Sequence, residues 1–257
     1  MVKQNKIALI TGATAGIGEA CAHTFAQNGY NLILTGRRQE RLNALKVNLQ
    51  EKYNVEVCTL CFDIRHKEQV IENLNSLAAE WQKVNVLINN AGLSQGLEPI
   101  QDGDFSDWDT MIDTNLKGLL YVSKIISNWM ILNKKGHIVN LGSIAAKEVY
   151  ANGNVYCATK HAVDALSKAM RIDLLPHGIK VTAIHPGAVE TEFSVVRFHG
   201  DEEKAAKVYE GFEPLVAQDI AETIWFVVSR PKHVNINDLL IMPASQAAIN
   251  YHIKEKK

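Results

Sequence analysis

Cysteine is scarce in this chain, with four among 257 residues, and so are proline, with six, and aromatic side chains, at 7%. Cysteines at positions 21, 58, 61 and 157 are too few for the dense disulfide framework that small secreted folds depend on. The one close pair, Cys58-Thr-Leu-Cys61, has the form of a redox or zinc half-site, but it sits in Val55-Glu-Val-Cys-Thr-Leu-Cys-Phe62, which reads as a strand. Residues three apart on a strand point to opposite faces and lie roughly 10 Å apart, beyond disulfide reach. No second cysteine pair or spaced histidine pair completes a metal site, so the cysteines are expected to be buried and reduced and no metal is expected. An excess of charge is also missing: the formal net charge is −1, with no basic patch or stripe, which argues against nucleic acid as a partner. Long hydrophobic runs are absent. The most apolar helical stretch, Leu116 to Leu132, is broken by Lys117, Lys124 and Asn128, and no charged-then-apolar leader is evident. No membrane association is expected, and the cytoplasm is the expected location.

What is present is apolar content, 47% of residues, ample for one sizeable core. Short apolar strands at Lys6–Thr11, Asn31–Thr35, Val55–Phe62, Asn85–Asn89, His137–Leu141, Gly178–Ile184 and Leu239–Met242 alternate with helical stretches. The helices are expected from Gly16 to about Asn28, at Gln39–Tyr53, Lys67–Trp81, Phe105–Asn133, Asn154–His177 and Gln218–Ser229. This alternation predicts an α/β fold: a doubly wound, parallel, seven-stranded Rossmann sheet with helices on both faces and strand order 3-2-1-4-5-6-7. No repeat or linker divides the chain, so residues 1–257 are expected to form a single domain, with a substrate segment at about 188–215 after strand 6 and a tail ending in Lys-Glu-Lys-Lys.

The first strand runs into Thr11-Gly12-Ala-Thr-Ala-Gly16-Ile-Gly18, a strand–turn–helix pattern whose glycines leave backbone open to a phosphate. Its spacing, Gly-x-x-x-Gly-x-Gly, is one residue longer than the commonest dinucleotide fingerprint. The second strand ends in Gly36-Arg37-Arg38, where an NAD site normally carries an acid. Two guanidinium groups suit a 2′-phosphate instead, and basic residues at a helix start oppose its dipole, so their placement asks for a reason. NADP is therefore the expected cofactor. Asp63 follows strand three and serves either the adenine edge or the cap of the next helix. Asn89-Asn90-Ala91-Gly92 offers small residues where a backbone can approach a ligand. Asn115 lies inside a long helix, where asparagine is mildly unfavourable; a buried hydrogen bond is the plain explanation.

Tyr156 and Lys160 are four apart, a spacing that stacks them on one helix face. A free tyrosine titrates near ~10, and a neighbouring ammonium favours the phenolate. A drop of roughly 3 units needs about 4 kcal/mol of differential stabilisation. Ser143 ends a strand thirteen residues earlier, facing the start of the Tyr156 helix, where open α/β sheets keep their ligands.

Taken together, these motifs resemble the short-chain dehydrogenase/reductase family over essentially the whole chain. Thr11–Gly18, Asn89–Gly92, Asn115, Ser143, Tyr156/Lys160 and Pro186-Gly187 fall in the family's order and approximate spacing. The resemblance implies a catalytic tetrad of Asn115, Ser143, Tyr156 and Lys160, with Tyr156 exchanging a proton with the substrate oxygen and Ser143 bonding that same oxygen. Lys160 is then expected to depress the Tyr156 pKa and hold the nicotinamide ribose, and Asn115 to anchor a relay water. Cofactor contacts are implied from Gly12, Thr14, Ala15, Gly16, Ile17 and Gly18, from Arg37, Arg38 and Asp63, and from Asn90, Ala91 and Gly92. Tyr156, Lys160, Pro186, Gly187, Val189 and Thr191 complete that set. A homotetramer is implied by the family's habit of pairing its long helices.

Thr35-Gly-Arg-Arg-Gln-Glu-Arg-Leu42, Val196-Arg-Phe-His-Gly-Asp201 and Val234–Pro243 further resemble the NADP-dependent 3-hydroxy acid dehydrogenases, which act on serine, allo-threonine and related short acids. Two segments are expected at the nicotinamide pocket, Ile144–Asn154 and Thr191–His199. Substrate contacts are expected from Ser143, Ile144 and Arg197, the last as a bidentate carboxylate anchor; the competing expectation is that Arg197 pairs with Asp201 or Glu202. The rival functions are reduction of neutral ketones, aldehydes or ketoacyl thioesters on the same tetrad, and non-catalytic NADP binding.

Overall fold

The computed structural model describes residues 6–253; the Lys-Glu-Lys-Lys end of the tail lies outside the described residues. Parallel strands β1 (Ile7–Thr11), β2 (Asn31–Gly36), β3 (Val57–Cys61), β4 (Val84–Asn89), β5 (Gly136–Leu141) and β6 (Ile179–Pro186) form the sheet with a seventh strand, β9 (Asp238–Ile241). Two short paired strands, β7 (Val189–Glu190) and β8 (Leu215–Val216), come before it in the chain and close the two ends of the segment after β6. The order β3-β2-β1-β4-β5-β6-β9 is the expected doubly wound one. The chain leaves β1 in one direction to β2 and β3 and returns to its other side with β4. That reversal opens a crevice beyond the carboxyl ends of β1 and β4.

Both faces of the sheet are covered, and β1 shows why its sequence is apolar throughout. Ala8 and Ile10 pack with Leu32, Leu34 and Ile88 against helices α1 (Gly16–Gln27), α2 (Gln39–Tyr53) and α9 (Ala217–Val228), through Phe25, Leu42, Leu49 and Ile224. Ile7 and Leu9 point the other way, joining Ile33 and Leu87 under α3 (Lys67–Asn75), α5 (Leu119–Leu132) and α6 (Asn154–Leu174), through Val70, Val122, Ile126 and Leu174. The alternation is the period-two geometry of a strand buried on both sides. Phe25 is fully buried and meets Tyr30 and Trp225 edge-on at 5.1 and 5.5 Å; its loss would cost about 3–5 kcal/mol.

Several boundaries differ from expectation. Helix α3 stops at Asn75, because Ser76 Oγ bonds back to Asn73 O at 2.8 Å and ends the turn. The cap of α3 is His66, not Asp63, whose carboxylate is held by Arg65 at 2.7 Å. Helix α6 gives way to a 3₁₀ turn, Leu175–His177, at Pro176, which has no N–H to continue it. The long helix from Phe105 is α4 (Phe105–Ile112) and α5 joined by a π-helical turn, Asp113–Gly118, that contains Asn115. Cys61 is exposed and Cys58 half-buried, since β3 is an edge strand; only Cys21 and Cys157 are buried as expected, and all four are unpaired. Among the described residues no helix is long and apolar enough to cross a membrane.

Candidate active site

A cavity of about 710 Å³ occupies the crevice, lined by both expected segments and by every strand-end motif named above. Its floor is the turn after β1. Gly12 and Gly16 have φ of +66° and +54°, a region that favours glycine, and a Cβ on Gly18 would collide with the Gly12 carbonyl. The neighbouring Asn90-Ala91-Gly92 turn is stitched to this floor. Asn90 Nδ2 donates to Thr11 O at 2.9 Å and Gly12 O at 3.1 Å, while Thr11 Oγ1 accepts from the N–H groups of Asn90 and Ala91 at 3.0 Å each.

Tyr156 and Lys160, both buried, project from the first turns of α6 into the cavity. Lys160 Nζ lies 5.9 Å from the Tyr156 ring centroid and donates to the Leu141 carbonyl at 2.9 Å. Burial pushes its ammonium from the ordinary 10.5 down to about 8. Burial also raises the Tyr156 phenol, opposed by the Arg197 guanidinium and by a hydrogen bond with Ser143. The Arg197 guanidinium thus acts against burial at Tyr156, while the Lys160 ammonium, over the same ring, donates a hydrogen bond to Leu141 O.

Ser143 begins a 3₁₀ turn, Ile144–Ala146, and its Oγ accepts from Ala145 N at 3.1 Å. Its backbone is braced from behind. His185 Nδ1 lies 3.2 Å from Ser143 O and Nε2 lies 3.0 Å from Asp238 Oδ2. Burial pulls the His185 pKa down while Asp238 pulls it up. Asp164, His185 and Asp238 bring ligand-type atoms within 4.8 Å of one another. The Lys147 ammonium supplies positive charge there, 3.0 Å from Asp164 and 2.8 Å from Asp238.

Asn115 is hydrogen-bonded at both ends of its amide. Its Nδ2 donates to Leu93 O at 2.8 Å and to Thr159 Oγ1 at 3.1 Å, and its Oδ1 accepts from Leu93 N at 2.8 Å. The plain hydrogen-bonding role is therefore present, within a π turn of the kind often found at functional sites.

Arg197, on α7 (Phe193–Arg197), does not pair with Asp201 or Glu202. Asp201 instead caps α8 (Glu202–Lys207) and meets Lys204 at 3.3 Å. Arg197 Nη2 donates to Tyr150 Oη at 3.0 Å, and its guanidinium carbon lies 5.2 Å from the Phe193 ring and 5.4 Å from the Tyr156 ring. Its Nε is buried with no partner among the described residues.

Arg37 and Arg38 separate in role. Arg37 is exposed, with one 3.8 Å contact to Asp63. Arg38 is turned onto Thr14 and Glu192, as is Arg41, which sequence reading did not single out. Glu192, Tyr150 and the Lys147 brace were also missed; each acts through partners far away in sequence and carries no local pattern. After Pro243 the hairpin of Gln246–Ala248 with Tyr251–His252 returns to this chain's own cavity, and His252 stacks on Phe212 at 5.0 Å.

A short chain dehydrogenase family model matches residues 6–201. The chain is 48% identical to the NADP-dependent 3-hydroxy acid dehydrogenase YdfG of Salmonella typhimurium, covering 94% of this chain and 96% of that one. It is 41% identical to the serine 3-dehydrogenase of Agrobacterium fabrum, over 95% and 96% of the two chains. Among solved structures, the closed form of serine dehydrogenase complexed with NADP+ superposes with a TM-score of 0.90 at 45% identity, covering 97% of this chain and 100% of that one. With this cavity, this strand order and these matches together, the chain belongs to the short-chain dehydrogenase family.

Proposed function

We propose that this protein is an NADP(H)-dependent dehydrogenase of small 3-hydroxy acids, of the serine, allo-threonine or 3-hydroxypropionate type. The observation that carries the substrate class is Arg197: a guanidinium inside the cavity beside Tyr156, with a buried Nε that no acceptor among the described residues satisfies. A buried cationic donor without an acceptor is costly, and a carboxylate that takes two of its N–H groups removes the cost. A neutral ketone leaves it unmet, which weighs against the rival substrates. The named relatives point the same way.

The cavity fits the dinucleotide. The positive-φ glycines bare backbone N–H groups at the start of α1, and Arg37 presents an open fork toward the same groove. Gly12 to Gly18 would hold the pyrophosphate, Arg37 with the neighbouring Arg38 the 2′-phosphate, Asn90 to Gly92 with Asp63 the adenosine half, and Pro186, Gly187, Val189 and Thr191 the nicotinamide half. When bound, the nicotinamide supplies or accepts the hydride. The protein's part is proton handling and orientation. Tyr156 gives the proton to, or takes it from, the substrate oxygen; Ser143 donates to that oxygen; and Ile144 bounds the pocket. Arg197 acts twice, fixing the carboxylate and favouring the Tyr156 phenolate. Lys160 holds the nicotinamide ribose. Asn115 keeps the Leu93 turn and α6 in register, with its remaining acceptor capacity open to the relay water.

The proposal extends to a cytoplasmic homotetramer. Four unpaired cysteines support a reducing compartment. Exposed apolar side chains on the long helices, Leu120 and Leu132 on α5 and Ile172 on α6, support burial against other copies. The activity is tested by NADP+ reduction with L-serine, 3-hydroxypropionate, 3-hydroxyisobutyrate and a neutral secondary alcohol, repeated with NAD+. Turnover of the acids with NADP+ is expected. Turnover of the neutral alcohol alone would discard the substrate class.

A further inference from the structure

The segment carrying Arg197 is tied at its start to the opposite wall of the cofactor groove. Glu192 Oε2 lies 2.9 Å from Arg38 Nη1, and Oε1 lies 2.6 Å from Arg41 Nη1, across more than 150 residues of sequence. The rest of the Arg38 fork is spent on Thr14: Nε lies 3.2 Å and Nη2 3.0 Å from Oγ1, and Nη2 lies 3.2 Å from the carbonyl. Arg41 Nη1 also reaches Thr14 O, at 3.4 Å. Thr14 and Glu192 line the same cavity as the glycine turn. The arginine placement that opposes the α2 dipole thus has a reason: Glu192 supplies the negative charge there.

Resting on the NADP reading, we propose that Glu192 is a selectivity-determining residue whose carboxylate competes with the cofactor's 2′-phosphate for Arg38 and Arg41. A phosphate monoester carries about −1.5 to −2 charge at pH 7 and three acceptor oxygens, so it displaces a single carboxylate from a pair of guanidinium groups. A ribose 2′-hydroxyl is neutral and leaves Glu192 in place. All three side chains are about half exposed, so the ion pairs are of modest strength and exchange readily. Arrival of a 2′-phosphate then frees residue 192 and, with it, the first turn of the segment that positions Arg197. A nucleotide without that phosphate keeps the tie closed, so discrimination between the cofactors is coupled to the substrate wall.

The test is calorimetric titration of the full-length protein, as wild type, Glu192→Gln and Glu192→Asp, with adenosine 2′,5′-bisphosphate and with 5′-AMP, which differs from it only in the 2′-phosphate. Neither probe carries nicotinamide, so the readout is binding alone. Glu192→Gln is expected to bind the 2′-phosphorylated probe about three- to tenfold more tightly, with 5′-AMP changed less than twofold. Glu192→Asp, which keeps the charge, should stay near wild type. Weaker binding of the bisphosphate to Glu192→Gln, or equal changes for both probes, overturns the competition, since Glu192 would then be bracing the arginines. A wild type that binds both probes alike overturns the NADP reading itself, and the competition with it.

Discussion

Lys160 shows how one buried side chain sets both chemistry and stability. Its folded pKa, about 8, lies below the ordinary 10.5. Between those values the unfolded chain binds more protons than the folded one, so stability rises with pH across that window. Below pH 8 the cost of burying the ammonium is fully present, on the order of 3 kcal/mol. In Lys160→Met this pH dependence disappears, while the Leu141 carbonyl loses its donor at a pH-independent cost of about 1–3 kcal/mol. The melting temperature of wild type relative to Lys160→Met should therefore climb from pH 7.5 to 9.5 in thermal scans; parallel curves would show that burial does not act on this lysine. At this scale the candidate residues could be picked out from sequence because their types and spacings are local, as with Tyr156 and Lys160 one turn apart. The direction of Lys160 was not legible, because it depends on a carbonyl of β5. Nor was the Arg197–Tyr150 bond, because it joins the end of α7 to a loop 47 residues away.

Strands and helices were legible where an apolar pattern repeats, as in β1, whose two faces feed two cores. The π turn at Asp113–Gly118 was hidden because one extra residue in a turn hardly disturbs helical periodicity; Asn115 in an unfavourable place was the one outward sign. The early end of α3 was hidden too, since it rests on a serine hydroxyl competing for a carbonyl. The long helices also carry a prediction. Leu132 on α5 and Ile172 on α6 are 80% and 73% exposed, more apolar surface than solvated helices of a lone chain need. Light scattering of the wild type should give the mass of four chains, and Leu120→Asp with Ile172→Asp should lower it. A wild-type monomer would remove the tetramer.

Across the whole molecule, the doubly wound order brings Gly12, Asn90, Ser143, Tyr156 and Arg197, spread over some 185 residues of sequence, around one cavity. The fold was readable because alternating strands and helices admit few right-handed arrangements. The ties across the groove were not, because Glu192, Arg38 and Arg41 become neighbours only when β1, β2 and the segment after β6 meet. The substrate class rests on one guanidinium in that assembly. Its decisive measurement is kcat/KM for 3-hydroxypropionate against 1,3-propanediol, the same skeleton without the carboxylate, in wild type and Arg197→Met. Wild type should strongly prefer the acid, and Arg197→Met should cut that preference by roughly 30-fold or more, about 2 kcal/mol. A preference that is unchanged in the variant, or a wild type that turns over the diol as readily as the acid, would contradict a carboxylate-anchored site.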